Sequence, residues 1–424
     1  MSKKLTRVKY SKLVPEDSFL GRYLQYMDIQ ETPYAFDFWT GCFLLSVITG
    51  RGICVNRPRA PVYLNLYALF VAESGTTRKS TAIRFAVDFA RPFCNEQLEL
   101  IESKTTPEKL EHQLHVQSKR FQTSGAIIAI SELVTFLGRE KYNEGMPTLL
   151  TDLYDSPAIR SGGGTLASGT RVLQNVYVSF LSASTPAWLL RAVNPDVIEG
   201  GFTSRIMFIV ADKPKRLQPW PEDGNEQLRE QIEVDLQGIR LKCQNITKIE
   251  ISDGGRKSFD KWYRSRHISS DPFRSSFQSR EDAHILRLAA FLAINDNTWV
   301  IQHTHIINAI KVITEVREDG ASIFAGTGSS SRTVLGLDKI RDKLLAAGSS
   351  GVKQTELTKA VSNLIPADVM KNALEIMLEL QMVQKFENIQ VGKGRPLTIW
   401  RATSALTQSK ALDKIINAHG PSKV

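Results

Sequence analysis

The stretch that most constrains this chain begins at Val62. An apolar run from Val62 to Val71, interrupted by Asn65, leads into Ala72-Glu73-Ser74-Gly75-Thr76-Thr77-Arg78-Lys79-Ser80-Thr81, and residues 80–94 then take helical periodicity. Such a run predicts a strand buried on both faces, as strands of parallel sheets are. A small-residue turn between a buried strand and a helix is where successive backbone N–H groups wrap a phosphate, helped by the partial positive charge of the helix N-terminus. Ser74, Gly75, Thr76, Thr77, Arg78, Lys79, Ser80 and Thr81 are therefore the expected phosphate-binding segment. Lys79 is placed to bridge the β- and γ-phosphates of ATP, and Ser80 to ligate Mg2+. The glycines usual in such a loop are replaced by Glu73 and Arg78. Gly75 remains for a positive-φ turn. Arg78 is expected in ordinary helical dihedrals with its guanidinium near the phosphates, and Glu73 is expected to point away. The alternative is a chance turn of this composition on a basic surface.

Three further segments follow in order. Ile127-Ile128-Ala129-Ile130 ends in Ser131-Glu132, the form of a Walker B strand. Glu132 would polarise the attacking water, and Ser131, where Asp is usual, would be an outer partner of the metal. Glu132 also suits a helix start, where the dipole favours a carboxylate. Ser179 to Pro186 is a strand ending in hydroxyls; Ser184 or Thr185 would hold the water, or else cap the helix that starts at Pro186. Gly200-Gly201-Phe202-Thr203-Ser204-Arg205 precedes the last strand. An exposed Arg205 there fits an arginine finger for a neighbouring subunit's γ-phosphate, the alternative being a turn arginine in a surface ion pair. Between Ser131-Glu132 and Ser184, Ile159 to Arg171 reads as a glycine-rich hairpin. Its Arg160 and Arg171 would meet DNA phosphates, or it is a flexible surface loop.

At 424 residues the chain exceeds the ~250–300 that one hydrophobic core sustains. The expected divisions are a basic arm and helical N-terminal segment (1–55), a phosphate-loop core (56–215), a helical lid (216–325), a Gly/Ser linker (326–336), a winged helix (337–403) and a flexible tail (404–424). Strands at 62–71, 126–130, 176–181 and 206–210 alternate with helices, so the core is expected to be α/β with a parallel sheet. Thr106-Pro107 reads as an N-cap followed by proline at the first helical position. In the 337–403 region, helices at 338–347, 354–361 and 366–380 precede strands at 383–389 and 398–402, the order of a winged helix. Its Lys353, Lys359 and Lys371, with Lys393 and Arg395 on the wing, are candidate DNA contacts; such modules also bind proteins. Trp262 and Tyr263 could stack bases, but their helical spacing assigns them to the core.

The net charge of +10 supports a nucleic-acid partner through phosphate neutralisation. No stretch reaches the roughly 18–20 apolar residues of a membrane span. The basic N-terminus has no apolar segment after it, so a cytoplasmic location without membrane association is expected. Cys42, Cys54, Cys94 and Cys243 lack zinc-site spacing and read as small apolar residues.

Together, Tyr63 to Tyr67, Glu73 to Ser80, Ser131-Glu132, Ala183 to Pro186 and Gly200 to Arg205 resemble an uncharacterised P-loop ATPase family. That family occurs in phages, plasmids and integrated elements, beside or fused to primases. The resemblance spans about residues 20–320, and the Arg-Lys-Ser form of the loop carries most of it. It implies an AAA+ helicase-like motor: a homo-oligomer, most simply a hexameric ring, acting on DNA with a primase or other replication protein as partner. In the lid segment Ser279 to Ala289, it implies that Arg287 or Arg280 touches the γ-phosphate. An ATP-gated loader that recruits a partner without unwinding, and a DNA-binding scaffold with a degenerate ATPase site, remain open alternatives.

Overall fold

The computed structural model describes residues 8–137, 145–162, 170–192, 201–220, 224–324, 329–362, 365, 367–389, 397–403 and 406. The chain divides into two compact units, Met1–Ile323 and Phe324–Val424.

The first unit is α/β and is built on a five-stranded, wholly parallel sheet. Its strands are β1 (Tyr67–Val71), β2 (Glu99–Ile101), β3 (Ser124–Ile130), β4 (Val176–Ser184) and β5 (Met207–Val210), in the spatial order β2-β3-β4-β1-β5. Every residue of β1, β3 and β4 is buried, which is why these segments read as unbroken apolar runs rather than alternating ones. The connection after β1 runs to one edge of the sheet, and the one after β4 passes beyond β1 to the other. The carboxyl ends of β1 and β4 therefore border the crevice where open parallel sheets place ligands. Register sets those ends level, Val71 opposite Ser184 and Ile130 opposite Ser182.

The expected strand 62–71 is broken. Val62–Tyr63 pairs instead with Cys54–Val55 in a small mixed sheet that also holds Lys248–Ile251 and Val300–Ile301. Asn65 marks the break: it is fully buried, and its Nδ2 donates to the Tyr154 carbonyl at 2.8 Å. A buried amide N–H needs such a partner. β2 was not expected, because three residues at a half-buried edge carry no periodic signal.

Pro33 opens the helix Tyr34–Thr49, in which every residue from Phe36 to Thr49 is buried. A helix apolar on all sides belongs inside a core. Phe36 stacks on Phe70 of β1 at 4.5 Å between ring centroids, and Tyr177 of β4 donates to the Ser46 carbonyl at 2.6 Å. The Pro-rich stretch after β5 is tied to this helix through Lys215, whose ammonium lies 2.6 Å from Asp37, both side chains almost inaccessible. Burial nonetheless pushes the Asp37 carboxyl up to about 6. Thr106 caps the helix Pro107–Phe121 by accepting from the Lys109 N–H, with Pro107 at its first position as expected.

Trp262 and Tyr263 are not in the core. The helix Asp253–Arg264 buries Gly255 alone, and Tyr263 is 41% exposed.

The second unit packs the helices Ser329–Ala347, Gln354–Val361 and Ala367–Glu379 against an antiparallel sheet of Val352–Lys353, Leu397–Ala402 and Val383–Ile389, with Trp400 in its core. Its first helix reaches back into the segment read as a Gly/Ser linker, and Val352–Lys353 is an unforeseen strand. Lys353, Lys359 and Lys371 are exposed; Lys393 and Arg395 lie outside the described residues. No helix among the described residues is long and apolar enough to cross a membrane.

Candidate functional site

The loop after β1 turns through two left-handed residues before the helix Lys79–Ala90. Gly75 has φ +77°, as its lack of a Cβ allows. Arg78, the N-cap, has φ 49° and ψ 41°, contrary to the helical dihedrals expected of it. The backbone keeps the conformation a glycine supplies, at a cost of about 1 kcal/mol for a residue with a Cβ. The Arg78 side chain turns outward, Nε donating to Glu31 at 2.5 Å, and this holds the Glu31 carboxyl below its usual range.

Lys79 folds back over the loop, Nζ donating to the carbonyls of Ala72 at 2.7 Å and Glu73 at 2.8 Å. Partial burial lowers its pKa, opposed by the carboxylates of Glu73 and Glu132. None of the backbone N–H groups from Gly75 to Ser80 donates to another described residue, and the buried Thr77 hydroxyl is also unpartnered. Thr76 is occupied, its hydroxyl donating to the Glu73 carbonyl at 3.0 Å. A row of free N–H donors with a lysine at a helix start is an anion-binding arrangement.

A cavity of about 460 Å³ joins this loop to the neighbouring strand ends. Ser74, Gly75, Arg78, Lys79 and Ser80 line one side, Ser131 and Glu132 from the end of β3 another, and Ser184 and Thr185 from β4 a third. Ser131 and Glu132 are exposed, so their oxygens are accessible. The Ser184 carbonyl accepts from the Ala72 N–H at 3.3 Å, and the Ser182 hydroxyl donates to the Ile130 carbonyl at 2.7 Å, so three strand ends are laced together. Thr185 Oγ1 accepts from the Trp188 N–H at 3.3 Å, the capping role. Thr76, Thr77 and Thr81 do not line the cavity. Val134 and Trp188 do, and sequence reasoning missed both, since each reads as an ordinary apolar member of a helix. A larger hollow of about 630 Å³ opens near Gly125 and Asn175, at the amino end of the sheet, and no carboxylate lines it.

The hydroxyls of Ser80 and Ser131 and the carboxylate of Glu132 form an oxygen set facing one cavity. This suits Mg2+, which favours one or two carboxylates, waters and substrate phosphates over an all-protein cage.

The other predicted residues lie elsewhere. Arg205 is buried, at 8% exposure, where an exposed side chain was expected. It sits in the turn Thr203–Arg205, its Nη1 donating to the Gly201 carbonyl at 2.9 Å and its Nη2 to Asp155 at 3.0 Å. Gly201 has φ +78°, and a Cβ there would stand 2.8 Å from the Arg205 guanidinium. Arg280 grips the same carboxylate at 2.8 Å. Arg287 does not reach the Lys79 cavity. It is 4% exposed and donates to the Tyr63 carbonyl at 3.0 Å and the Tyr154 hydroxyl at 2.7 Å, beside a separate cavity shared with Arg51, Arg57 and Arg280. The Tyr154 hydroxyl lies 3.3 Å from His284 Nδ1, and His284 Nε2 lies 2.8 Å from the Ser204 carbonyl. Donation from Nε2 to that carbonyl leaves Nδ1 as acceptor, the neutral imidazole. Burial first, then Arg287, Arg280 and Arg205, push His284 down to about 3.

Arg160 and Arg171 flank the hairpin Ile159–Gly162/Arg171–Gln174, whose residues 163–169 lie outside the described ones. Both arginines turn onto Glu111 of the helix Pro107–Phe121, at 2.6 and 3.3 Å, rather than projecting toward a nucleic acid. A partly buried carboxylate between two guanidiniums is a strong local competitor for them.

No protein-family model matches the chain, and no curated protein matches it.

Proposed function

We propose that this chain is a P-loop ATPase of AAA+ type that acts on DNA as a homo-oligomer, a ring-forming replicative helicase of a mobile genetic element that works with a primase or another replication protein. One observation carries the reading. The left-handed turns at Gly75 and Arg78, the free loop N–H groups and Lys79 meet Ser80, Ser131, Glu132 and Ser184 in one cavity at the carboxyl ends of three parallel strands.

In this reading the loop N–H groups take the β-phosphate, and Lys79 leaves the carbonyls of Ala72 and Glu73 for the phosphoryl oxygens. Ser80 and Ser131 would hold Mg2+, which when bound neutralises charge on those oxygens. Glu132 accepts the proton of the attacking water, and Ser184 orients that water. Arg205 acts on a neighbour's γ-phosphate after exchanging its Asp155 partner for the phosphoryl group. The second unit, three helices and a small antiparallel sheet, is read as a winged helix whose exposed Lys353, Lys359 and Lys371 meet DNA phosphates.

The test is DNA-stimulated phosphate release by the full chain and by Lys79→Ala. Loss of turnover in the variant is expected, and full activity would overturn the assignment. Strand displacement on a forked duplex separates a motor from an ATP-gated loader. DNA binding without any phosphate release identifies a scaffold.

A further inference from the structure

The helix Asp253–Arg264 is anchored by its first turn. Ser252 caps it by accepting from the Gly255 N–H, and Gly255, its one buried residue, lies so close to the Ile301 carbonyl that a Cβ would stand 2.8 Å from that oxygen. Beyond that turn the helix leaves the core, yet it carries Phe259, Trp262 and Tyr263 at i, i+3 and i+4, on one face. Among the described aromatic pairs these rings meet only one another, with centroids 5.5, 6.1 and 6.2 Å apart. Tyr263 is 41% and the nearby Ile268 84% exposed. Aromatic area of this kind is normally covered, by the core or by a partner.

The charge around the rings says which partner. Arg256, Lys257, Lys261, Arg264 and Arg266 stand against Asp253 and Asp260 in the same segment. Lys257, Lys261 and Arg264 are exposed and make no ion pair with a described residue. The Arg266 guanidinium carbon already lies 3.6 Å from the Tyr263 ring centroid and 5.3 Å from that of Trp262, so these rings already accept a cation. Cations alone would suit any polyanion. Cations interleaved with partly exposed aromatic rings suit one whose own rings are unstacked.

We propose that this face is a stacking platform for single-stranded nucleic acid, with bases on Tyr263 and Trp262 and phosphates along Lys257, Lys261 and Arg264. The inference rests on the nucleic-acid partner of the proposed function and is independent of ATP hydrolysis. Duplex DNA, whose bases are stacked on one another, binds this face only through its phosphates.

The experiment measures binding of a labelled oligo-dT to the full chain by fluorescence anisotropy, without nucleotide, over a salt series. Tyr263→Ala is expected to weaken binding about tenfold, with Tyr263→Phe close to wild type. Lys261→Ala with Arg264→Ala is expected to reduce the salt slope by about 1.4. The charge variants lie on exposed positions, so the test stands even if Tyr263→Ala misfolds in a thermal-melt control. Unchanged affinity and slope in folded variants, equal loss on duplex of the same length, or a change in sedimentation in place of a change in binding would each overturn the platform. In those cases the ATPase reading is untouched. A wild-type chain that binds no nucleic acid removes the shared partner from both.

Discussion

Arg205 reaches Asp155 at 3.0 Å, across fifty positions of sequence, and Asp155 also holds Arg280, through both of its oxygens. The carboxylate is about half exposed, whereas the Arg205 side chain is only 10% exposed. The guanidinium proposed to serve a neighbouring subunit is thus restrained in its own chain by a partner that solvent can reach.

Replacing Asp155 with Asn keeps the shape and removes the charge. The expected result is a loss of about 1–2 kcal/mol in urea unfolding, less than a fully buried pair would cost. Per-subunit ATP turnover is expected to rise as Arg205 becomes free to exchange. Mixed oligomers containing Arg205→Ala should show inhibited neighbours; if neither the Asn variant nor the mixtures change turnover, Arg205 has only its structural role.

Arg78 makes a second test. Arg78→Gly and Arg78→Ala both lose the Glu31 pair, but only Ala keeps the left-handed strain. The Gly variant is expected to be more stable than the Ala variant by about 1 kcal/mol, read from denaturant midpoints. Equal midpoints would mean the loop relaxes out of this conformation in solution.

The pH dependence of stability follows from His284. In the unfolded chain this imidazole takes a proton near its ordinary 6.5, while in the fold it resists protonation down to about 3. Its contribution to stability is complete above that ordinary value and is lost as pH falls from 6.5 toward 3, at about 1.4 kcal/mol per pH unit. Asp37 works in the opposite direction: held up to about 6 against an ordinary 3.8, it adds stability as pH falls between those values. The wild-type profile is therefore flatter than either group alone would make it. The difference between wild type and His284→Gln should shrink from pH 7 to pH 5; a constant difference would contradict a buried neutral imidazole.

What the sequence discloses here is local. The cap at Thr106, the proline after it, and the strand–turn–helix at Gly75 are set by neighbours a few residues apart, and all stand where their residue types put them. The left-handed conformation of Arg78 was hidden because nothing in an arginine side chain signals positive φ. The Asp155–Arg205 pair and the turning of Arg160 and Arg171 onto Glu111 depend on which segments meet in three dimensions, so no spacing reveals them. Trp262 and Tyr263 show the same limit, since i, i+3, i+4 spacing describes one helix face without saying what lies opposite it.

The lysine that grips its own loop has a thermodynamic corollary. With Nζ held by the carbonyls of Ala72 and Glu73, the free chain competes with any nucleotide for that ammonium. A measured affinity is then the balance of an exchange, phosphoryl oxygens gained against carbonyls given up. On the proposed function a third phosphate supplies more oxygens for that exchange than two do, and the resting conformation of the loop would then favour a triphosphate over a diphosphate.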